Sequence, residues 1–595
     1  MYFNFQRDLA AFLQSEYGVQ GLDIPAELCP PEFSGELSIS CFVLARQLKR
    51  NPMQLAAQVG EFLRSHADIL SLEVVKAFVN ISLAPGALMR DCVADAAALQ
   101  ARSRLEPAER QRILIEFSAP NTNKPQHLGH VRNNCIGMAS ASILARVGHD
   151  VVRVNLVNDR GIHICKSMLA YQRFGGDCSP ETLGKKGDHL VGDFYVRFDQ
   201  ELRKQIEELR QNDESLREKD SDELFLQTEI GRAAQEMLLK WEQGDEEVRA
   251  LWEKMNQWVF DGFEQTYKRM GVEFEHTYLE SQTYMLGRDI IMEGLQRGVF
   301  YQRQDGALVI DFDDPRLGSK VVLRSDGTSV YITQDIGTTL LKQNDYQPEQ
   351  QIWVVGDEQK YHFQVLFAIL KALGYEWAER LTHMAYGMVN LPSGRMKSRE
   401  GTVVDADELF DLLEQLAGEA TAERNQQLEP DELQRRAQSI SMAALKFMLL
   451  KVNPKTTLLF DPQASIKFEG DTGPYILYAY ARIASMLRRA KEELKEEQAA
   501  LDWSLLDSAS EKRLALRCAM YPAALHKAAA ELDSSVLAAY LLDLAKDFSS
   551  FYKQCSVLNA ENPTLRQTRL ELSERVREII GDGLRTLTIE PLESM

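Results

Sequence analysis

The chain has 595 residues, 45% hydrophobic and 26% charged, which excludes an intrinsically disordered polypeptide and leaves room for several domains. Its 68 Lys and Arg stand against 88 Asp and Glu, a net charge of −20, so any polyanion must be met by a local gathering of basic residues. The apolar runs break far short of the roughly 20 residues a membrane span needs.

The N-terminus, MYFNFQRDLA, is charged early and has no signal-type apolar segment, and the eight cysteines contain no Cys-x-x-Cys pair, so a reduced, cytoplasmic protein is expected. Residues 1–108 read as a small α+β unit. Helical period covers 3–16, extended apolar stretches lie at 38–45 and 74–83, a turn falls at Pro85-Gly86, and an Ala-rich amphipathic helix covers 87–104. The segment RQRILIEFSAPN is a buried-strand pattern ending at Pro120. The loop NTNKPQ follows, then a helical stretch over 128–147 closed by Gly148, then a second strand in HDVVRVNLVND. Strand, loop, helix and strand in about forty residues make a βαβ unit and imply a parallel sheet.

Residues 176–275 hold 14 basic and 25 acidic residues, and 176–270 reads as a helical insertion with Trp252, Trp258, Phe260 and Phe263 as its candidate core. Strand-like segments return at VEFEHTY, ALVIDFDD, SVYITQD and QIWVVGD, interleaved with helical stretches such as 363–373. From Asp405 onward the period is helical. Basic residues gather at Arg46, Lys49 and Arg50, and again at Arg482, Arg488, Arg489, Lys491 and Lys495. Either group is a solvated helix face or part of a polyanion surface.

The sharpest chemical signal is His127-Leu128-Gly129-His130 at the loop-to-helix junction of the βαβ unit. A helix N-terminus offers unpaired N–H groups to phosphate oxygens, and Gly129 leaves room for a base or ribose to approach the backbone. Two imidazoles one turn apart can donate to a leaving pyrophosphate. The bland alternative is a pair of surface histidines at a helix start. The second signal is Arg395-Met396-Lys397-Ser398-Arg399-Glu400-Gly401, by itself a basic surface loop. Paired with the first, it reads as a mobile cationic clamp facing it across the carboxyl edge of the sheet. Neither a Walker loop nor a His-Glu-x-x-His motif is present.

With these in place the chain resembles a known family. EFSAPNTNKPQHLGHVRNN, SVYITQDIG, WVVGDEQKYHFQ, YGMVNLPSGRMKSREGTVVDADEL and FEGDTGPYILYAYARIASMLRRA look like the successive motifs of class I arginyl-tRNA synthetases, from about residue 110 to the C-terminus. The first hundred residues resemble that family's added domain only in size and class.

The resemblance implies an α/β fold. A Rossmann-type parallel-sheet catalytic domain at 109–404 would carry the 176–270 insertion, between an N-terminal α+β tRNA-contacting domain (1–108) and, after a helical connector (405–465), an all-α anticodon-binding domain (466–595). It implies ATP with Mg2+ as substrate complex, L-arginine and tRNA(Arg) as partners, a cytoplasmic monomer, and no protein-bound structural metal.

It also implies roles. Glu116, Tyr331, Asp335, Asn121 and Gln359 match the arginine-binding positions, and a guanidinium with five donors does call for acids. His127, Gly129 and His130 match the ATP signature His-Ile-Gly-His, with Leu128 for Ile; Gly356, Met388 and Val389 sit where ribose and adenine are held. The second signature departs from Lys-Met-Ser-Lys-Ser: here the lysine is shifted to Lys397, before Ser398 and Arg399. In many arginyl enzymes a lysine ahead of the first signature substitutes, here Lys124, and which of Lys124, Lys397 and Arg399 reaches the phosphates stays open. Tyr475, Tyr478, Tyr480 and Arg482 suit stacking on anticodon bases or, equally, packing in a helical bundle. The rivals are cysteinyl, glutamyl and glutaminyl enzymes, a non-catalytic tRNA-binding paralogue and a small nucleotidylyltransferase. They fit less well with the acids at 116 and 335, the two intact signatures and the chain length.

Overall fold

A computed structural model describes the chain except residues 1–2, 23, 31, 85–87, 89–95, 393–403, 425–426 and 494–498. The expected turn at Pro85-Gly86 and the second signature lie outside the described residues, as does Lys495, and of the helix expected over 87–104 the described part is Ala96–Arg102.

The N-terminal unit packs the helix Asn4–Tyr17 and two further helices on a four-stranded antiparallel sheet in the order Ala26–Leu28, Leu37–Ser40, Phe78–Leu83, Ile69–Val75. The stretch 38–45 is not extended throughout. The strand stops at Ser40 and the helix Cys41–Leu48 begins, because Cys41, Leu44, Ala45 and Leu48 form one buried helical face that outweighs the β-branched Ile39 and Val43. The stretch 74–83 is likewise interrupted, by a hairpin turn at Lys76 with φ 55°.

The next unit is built on a five-stranded, wholly parallel sheet. Its order is Leu381–Tyr386, Gln350–Gly356, Arg112–Glu116, Asp150–Val157, His276–Leu279. Arg112–Glu116 lies at the centre, which is why Ile113, Leu114 and Ile115 read as a continuous apolar run. The crossover helix Leu128–Val147 covers one face, ends at Gly148 (φ 112°), and sets Gly137 against the Phe117 ring. The 176–270 region is helical, and its helices Gly187–Asn212, Glu229–Gln243 and Glu246–Met270 share a core with Ile162–Phe174. Trp258 and Phe263 lie inside this core, with Trp252 packed at its margin.

ALVIDFDD forms the strand Leu308–Asp311, which joins a separate antiparallel sheet with Tyr301–Gln302 and Ser319–Leu323. One strand expectation needs correction. SVYITQD does not form a strand but opens the helix Tyr331–Tyr346. Its threonines, which read as strand formers, bond locally instead: Thr338 and Thr339 donate to the carbonyls of Gln334 and Asp335, and Thr333 donates to Val322. Beyond Asp405 the helices Ala406–Arg424, Pro430–Leu450, Gly473–Glu493, Ser534–Gln554 and Pro563–Thr586 dominate. One exception to the all-helical reading is the short strand Leu458–Leu459, paired in parallel with Val389–Asn390. Among the described residues no helix is long and apolar enough to cross a membrane, and all seven described cysteines are free.

A Cβ at Gly137 would sit 2.2 Å from Phe117 Cγ. Gly137→Ala is expected to destabilise the protein by about 1–3 kcal/mol through overpacking, read as a lower denaturation midpoint. An unchanged midpoint would show that the helix is not seated on Phe117.

Candidate active site

The site begins where the central strand ends. After Glu116 and Phe117, Ser118 (φ 80°) and Ala119 (φ 48°) take up left-handed conformations unusual for residues with a side chain. Two buried amides hold them. Asn133 Oδ1 accepts from the Ser118 N–H at 2.6 Å and Asn155 Oδ1 from the Ala119 N–H at 3.0 Å. This turn lifts the chain off the sheet edge and aims it through Asn121, which bridges to Asn158, toward the first signature.

His127 is the N-cap of the helix Leu128–Val147. Its Nδ1 accepts from the Gly129 N–H at 3.1 Å, and His130 Nδ1 accepts from the His127 N–H at 3.2 Å. A neutral imidazole that accepts at Nδ1 carries its proton on Nε2, so each ring presents an Nε2–H. The rings stay neutral for physical reasons. Burial, with Lys124 close by, holds His127 down at about 4, and burial with His127 and Lys124 pushes His130 well below its usual range. Lys124, itself lowered by burial, thus stands beside two neutral donors at a helix N-terminus. Lys397, Ser398 and Arg399 lie outside the described residues, but the chain just after them returns here. The Leu128 N–H donates to the Val404 carbonyl, the Ala406 N–H to the Gln126 carbonyl, and His127 bridges Asp405. Gly356 ends its strand on the same sheet edge, and Val389 is buried. The Met388 carbonyl already accepts from Arg132 and from the Leu458 N–H, and its side chain is exposed.

Beside this cationic edge lies an acidic one. Glu116 is 6% exposed, and its Oε2 accepts from Lys342 Nζ at 2.5 Å; the same ammonium lies over the Trp353 ring at 4.9 Å. Tyr331 is 62% exposed at the start of its helix. Asp335, one turn further, pairs with His362 Nε2 at 2.5 Å. The Tyr331 ring lies 5.1 Å from that of His362, and the negative charge of Asp335, with smaller contributions from Glu280 and Glu116, holds its phenol well above its usual range. Burial pushes Glu280 up to about 7, opposed by the nearby Arg160 charge and aided by Asp159 and Asp335. Its carboxylate has no hydrogen-bond partner among the described residues. Gln359 is exposed on the turn Asp357–Gln359 after Gly356. Asn121 is exposed too, at the opposite side of the central strand.

Residues 93–461 match the family described as tRNA synthetases class I (R), catalytic domain. Residues 4–83 match the arginyl tRNA synthetase N terminal domain, and 476–595 the DALR anticodon binding domain. The chain is 42% identical to the arginine–tRNA ligase of Parabacteroides distasonis over 99% of its own length and 98% of that protein, and 42% identical to that of Phocaeicola vulgatus over 97% of each. The arginyl-tRNA synthetase structure from Thermus thermophilus superposes with a TM-score of 0.80 at 26% identity, over 99% of both chains.

The chain belongs to the arginyl-tRNA synthetase family.

In the region matching the anticodon binding domain, Arg482 stacks on Tyr478 at 4.5 Å and on Tyr552 at 5.4 Å, between cavities of about 280 and 390 Å³ that also admit Arg488, Arg489 and Lys553. Tyr475 is half-buried and shares a hydrogen bond with Ser549. Tyr480 does not join them. It is 3% exposed, donates to Glu593 and accepts from Arg577, so its ring serves helix packing and shows no face to a base. Sequence reasoning missed Glu280, Lys342, His362 and Tyr552. Glu280 closes the strand-like VEFEHTYLE, where a charge-bearing strand end was the one available signal. The others are ordinary helix residues until the fold brings them together.

Adenylate formation by His130→Ala is expected to fall roughly 10²–10³-fold, the cost of losing one preorganised donor, with ATP affinity changed far less. Because both histidines are neutral when folded, the unfolded chain binds protons first as pH falls. Their contribution to stability is therefore full above about 6.5 and is lost as pH drops toward about 4. Nitrogen-15 spectra of the imidazoles at pH 7 should show Nε2–H tautomers; Nδ1–H rings would contradict the capping geometry.

Proposed function

We infer that the chain charges tRNA(Arg) with L-arginine in two steps and that the residues above divide the work. In the first step an arginine carboxylate oxygen forms a bond to the α-phosphorus of ATP–Mg2+ and pyrophosphate leaves. In the second a hydroxyl of the terminal ribose of the tRNA attacks the arginyl carbonyl and AMP leaves. The observation that carries this reading is the gathering of Glu116 and Glu280 at their strand ends, with Asp335 and Tyr331 against His362, on the same carboxyl edge of the sheet as the neutral histidine pair. Acids suit a guanidinium; neutral N–H donors and a helix N-terminus suit a triphosphate.

In this reading Glu116, Tyr331, Asp335, Asn121 and Gln359 hold arginine. Glu116 acts through the oxygen that Lys342 leaves open. His127, Gly129, His130 and Lys124 meet the phosphates, joined by Lys397, Ser398 and Arg399. Gly356, Met388 and Val389 take the nucleoside, and Tyr478, Tyr475 and Arg482 meet tRNA. The domain limits at 108, 404 and 465, a cytoplasmic setting, a monomer and the lack of a structural metal belong to the same proposal. One group of three potential metal ligands comes together among the described residues, Asp188, His189 and Asp407, and the Lys186 ammonium already lies against two of its carboxylates.

Aminoacylation with each of the twenty amino acids, with and without tRNA(Arg), tests the reading. Arginine alone should be ligated, and pyrophosphate exchange should stay near background until tRNA is added. Glu280 adds a sharper expectation. With its pKa at about 7 when empty, it is partly protonated at neutral pH, and an arriving guanidinium favours its ionised form. Arginine binding should release up to about half a proton at pH 7, and tighten as pH rises through that value. Calorimetry in buffers of different ionisation enthalpy measures the release, and binding without it would place the guanidinium elsewhere.

A further inference from the structure

The first turns of the insertion helix Gly187–Asn212 touch both halves of the phosphate side of the site. Lys186 Nζ donates to Asp407 Oδ2 at 2.6 Å, to Thr266 Oγ1 at 2.5 Å and to Asp188 Oδ2 at 3.1 Å. His189 Nε2 lies 3.1 Å from the same Asp407 oxygen and 3.5 Å from Asp405 Oδ2. Asp188 is wholly buried, seated where a Cβ at Gly262 would come within 2.5 Å of its Oδ1. One turn on, Gly192 rests on the loop ahead of the first signature; a Cβ there would meet Pro125 Cδ at 2.8 Å, next to Lys124.

The two segments held in this way are also joined to each other. Gln126, His127 and Leu128 pair through the backbone with Val404, Asp405 and Ala406, immediately after the second signature. Asp405 Oδ1 meanwhile accepts from the Asp407 and Glu408 N–H groups and starts the helix Ala406–Arg424. The insertion helix, the first-signature loop and the segment leaving the second signature thus meet at one junction, closed by Lys186 and His189 of the insertion on Asp405 and Asp407 of that segment.

We propose that Lys186, His189, Asp405 and Asp407 are positioning residues for adenylate formation. They touch no substrate; they fix where the chain leaving the second signature meets the N-terminal turn that carries His127 and His130. Two charged or chargeable donors converge on one Asp407 oxygen in a mostly buried setting, where such bonds are strong and directional. Without Lys186, three carboxylates face one another with a single imidazole between them, and like-charge repulsion pushes the segments apart. A shift of roughly 1 Å in reacting groups costs on the order of 10²-fold in rate. On this account the acidic insertion, which composition alone reads as a solvated helical body, belongs to the catalytic machinery.

The proposal rests on the two-step ligation reading, and the test keeps the two apart. The full-length enzyme and its Lys186→Met, Lys186→Arg, His189→Gln, Asp407→Asn and Lys186→Met/Asp407→Asn variants are compared in tRNA-dependent, arginine-driven pyrophosphate exchange. Arginine binding by calorimetry and the thermal midpoint are measured alongside. No exchange by the parent would sink the ligation reading itself. With exchange in the parent, Lys186→Met and Asp407→Asn should lower its maximal rate about 10-fold or more, with arginine affinity within about twofold. Lys186→Arg should keep most of the rate, His189→Gln should fall between, and the double variant should lose less than the sum of the single losses. Unchanged rates in variants with the parent's midpoint would overturn the proposal. So would losses that vanish once rates are corrected for the folded fraction.

Discussion

One buried guanidinium sets the geometry of the nucleotide side. Arg132 is 0% exposed and donates to three carbonyls, Met388 at 2.6 Å, Thr456 at 2.7 Å and Pro454 at 3.1 Å. It stands on the second turn of the first-signature helix, while its acceptors lie more than 250 residues further along the chain. Through it the helix that bears His127 and His130, the strand Val389–Asn390 and the segment leading into the C-terminal helices are held in one frame. Burying a guanidinium costs several kcal/mol, and each charge-assisted bond returns about 1.5–3 kcal/mol, so its net stabilisation is small. Such a group fixes a register more than it raises stability.

Opposite that frame the site meets two incompatible demands within one sheet edge. A triphosphate needs positive potential and an arginine needs negative potential. On the side proposed for the phosphates the described residues are neutral imidazoles, helix N–H groups and Lys124, which repel an incoming guanidinium less than a cluster of charged histidines would. On the amino-acid side Lys342 neutralises part of Glu116, and Glu280 is raised to about 7, which keeps several carboxylates close without their full repulsion while the pocket is empty.

Much of this was legible in the sequence where local pattern and chemistry coincide. The βαβ unit showed itself because an apolar strand, a signature at a helix start and a closing Gly148 lie within forty residues, and Glu116 stood out as the one acid in an apolar strand. What was not legible depended on distance or on competing preferences. Lys342 reads as an outward lysine on a mixed helix until the fold carries it 226 residues back to Glu116. Tyr331 sits in a β-branched run that local propensity assigns to a strand, yet threonine-to-backbone bonds and the exposure of one face make it the start of a helix. Tyr480 lies two residues from Tyr478 and therefore on another helix face, and the position of Pro563–Thr586 decides which of the two rings is covered. Lys186 and His189 were hidden in a region whose charge pattern describes any solvated helix.

The most direct test of this account is hydrogen exchange by mass spectrometry on Arg132→Met, which keeps bulk and removes every donor. The amides of Gly387, Leu458 and Phe460, which bond to Pro454, Met388 and Asn390 across the frame, should lose protection. Those of the central strand Arg112–Glu116 should keep theirs. Equal protection of Gly387, Leu458 and Phe460 in variant and parent would show that the frame stands without Arg132 and would contradict the account.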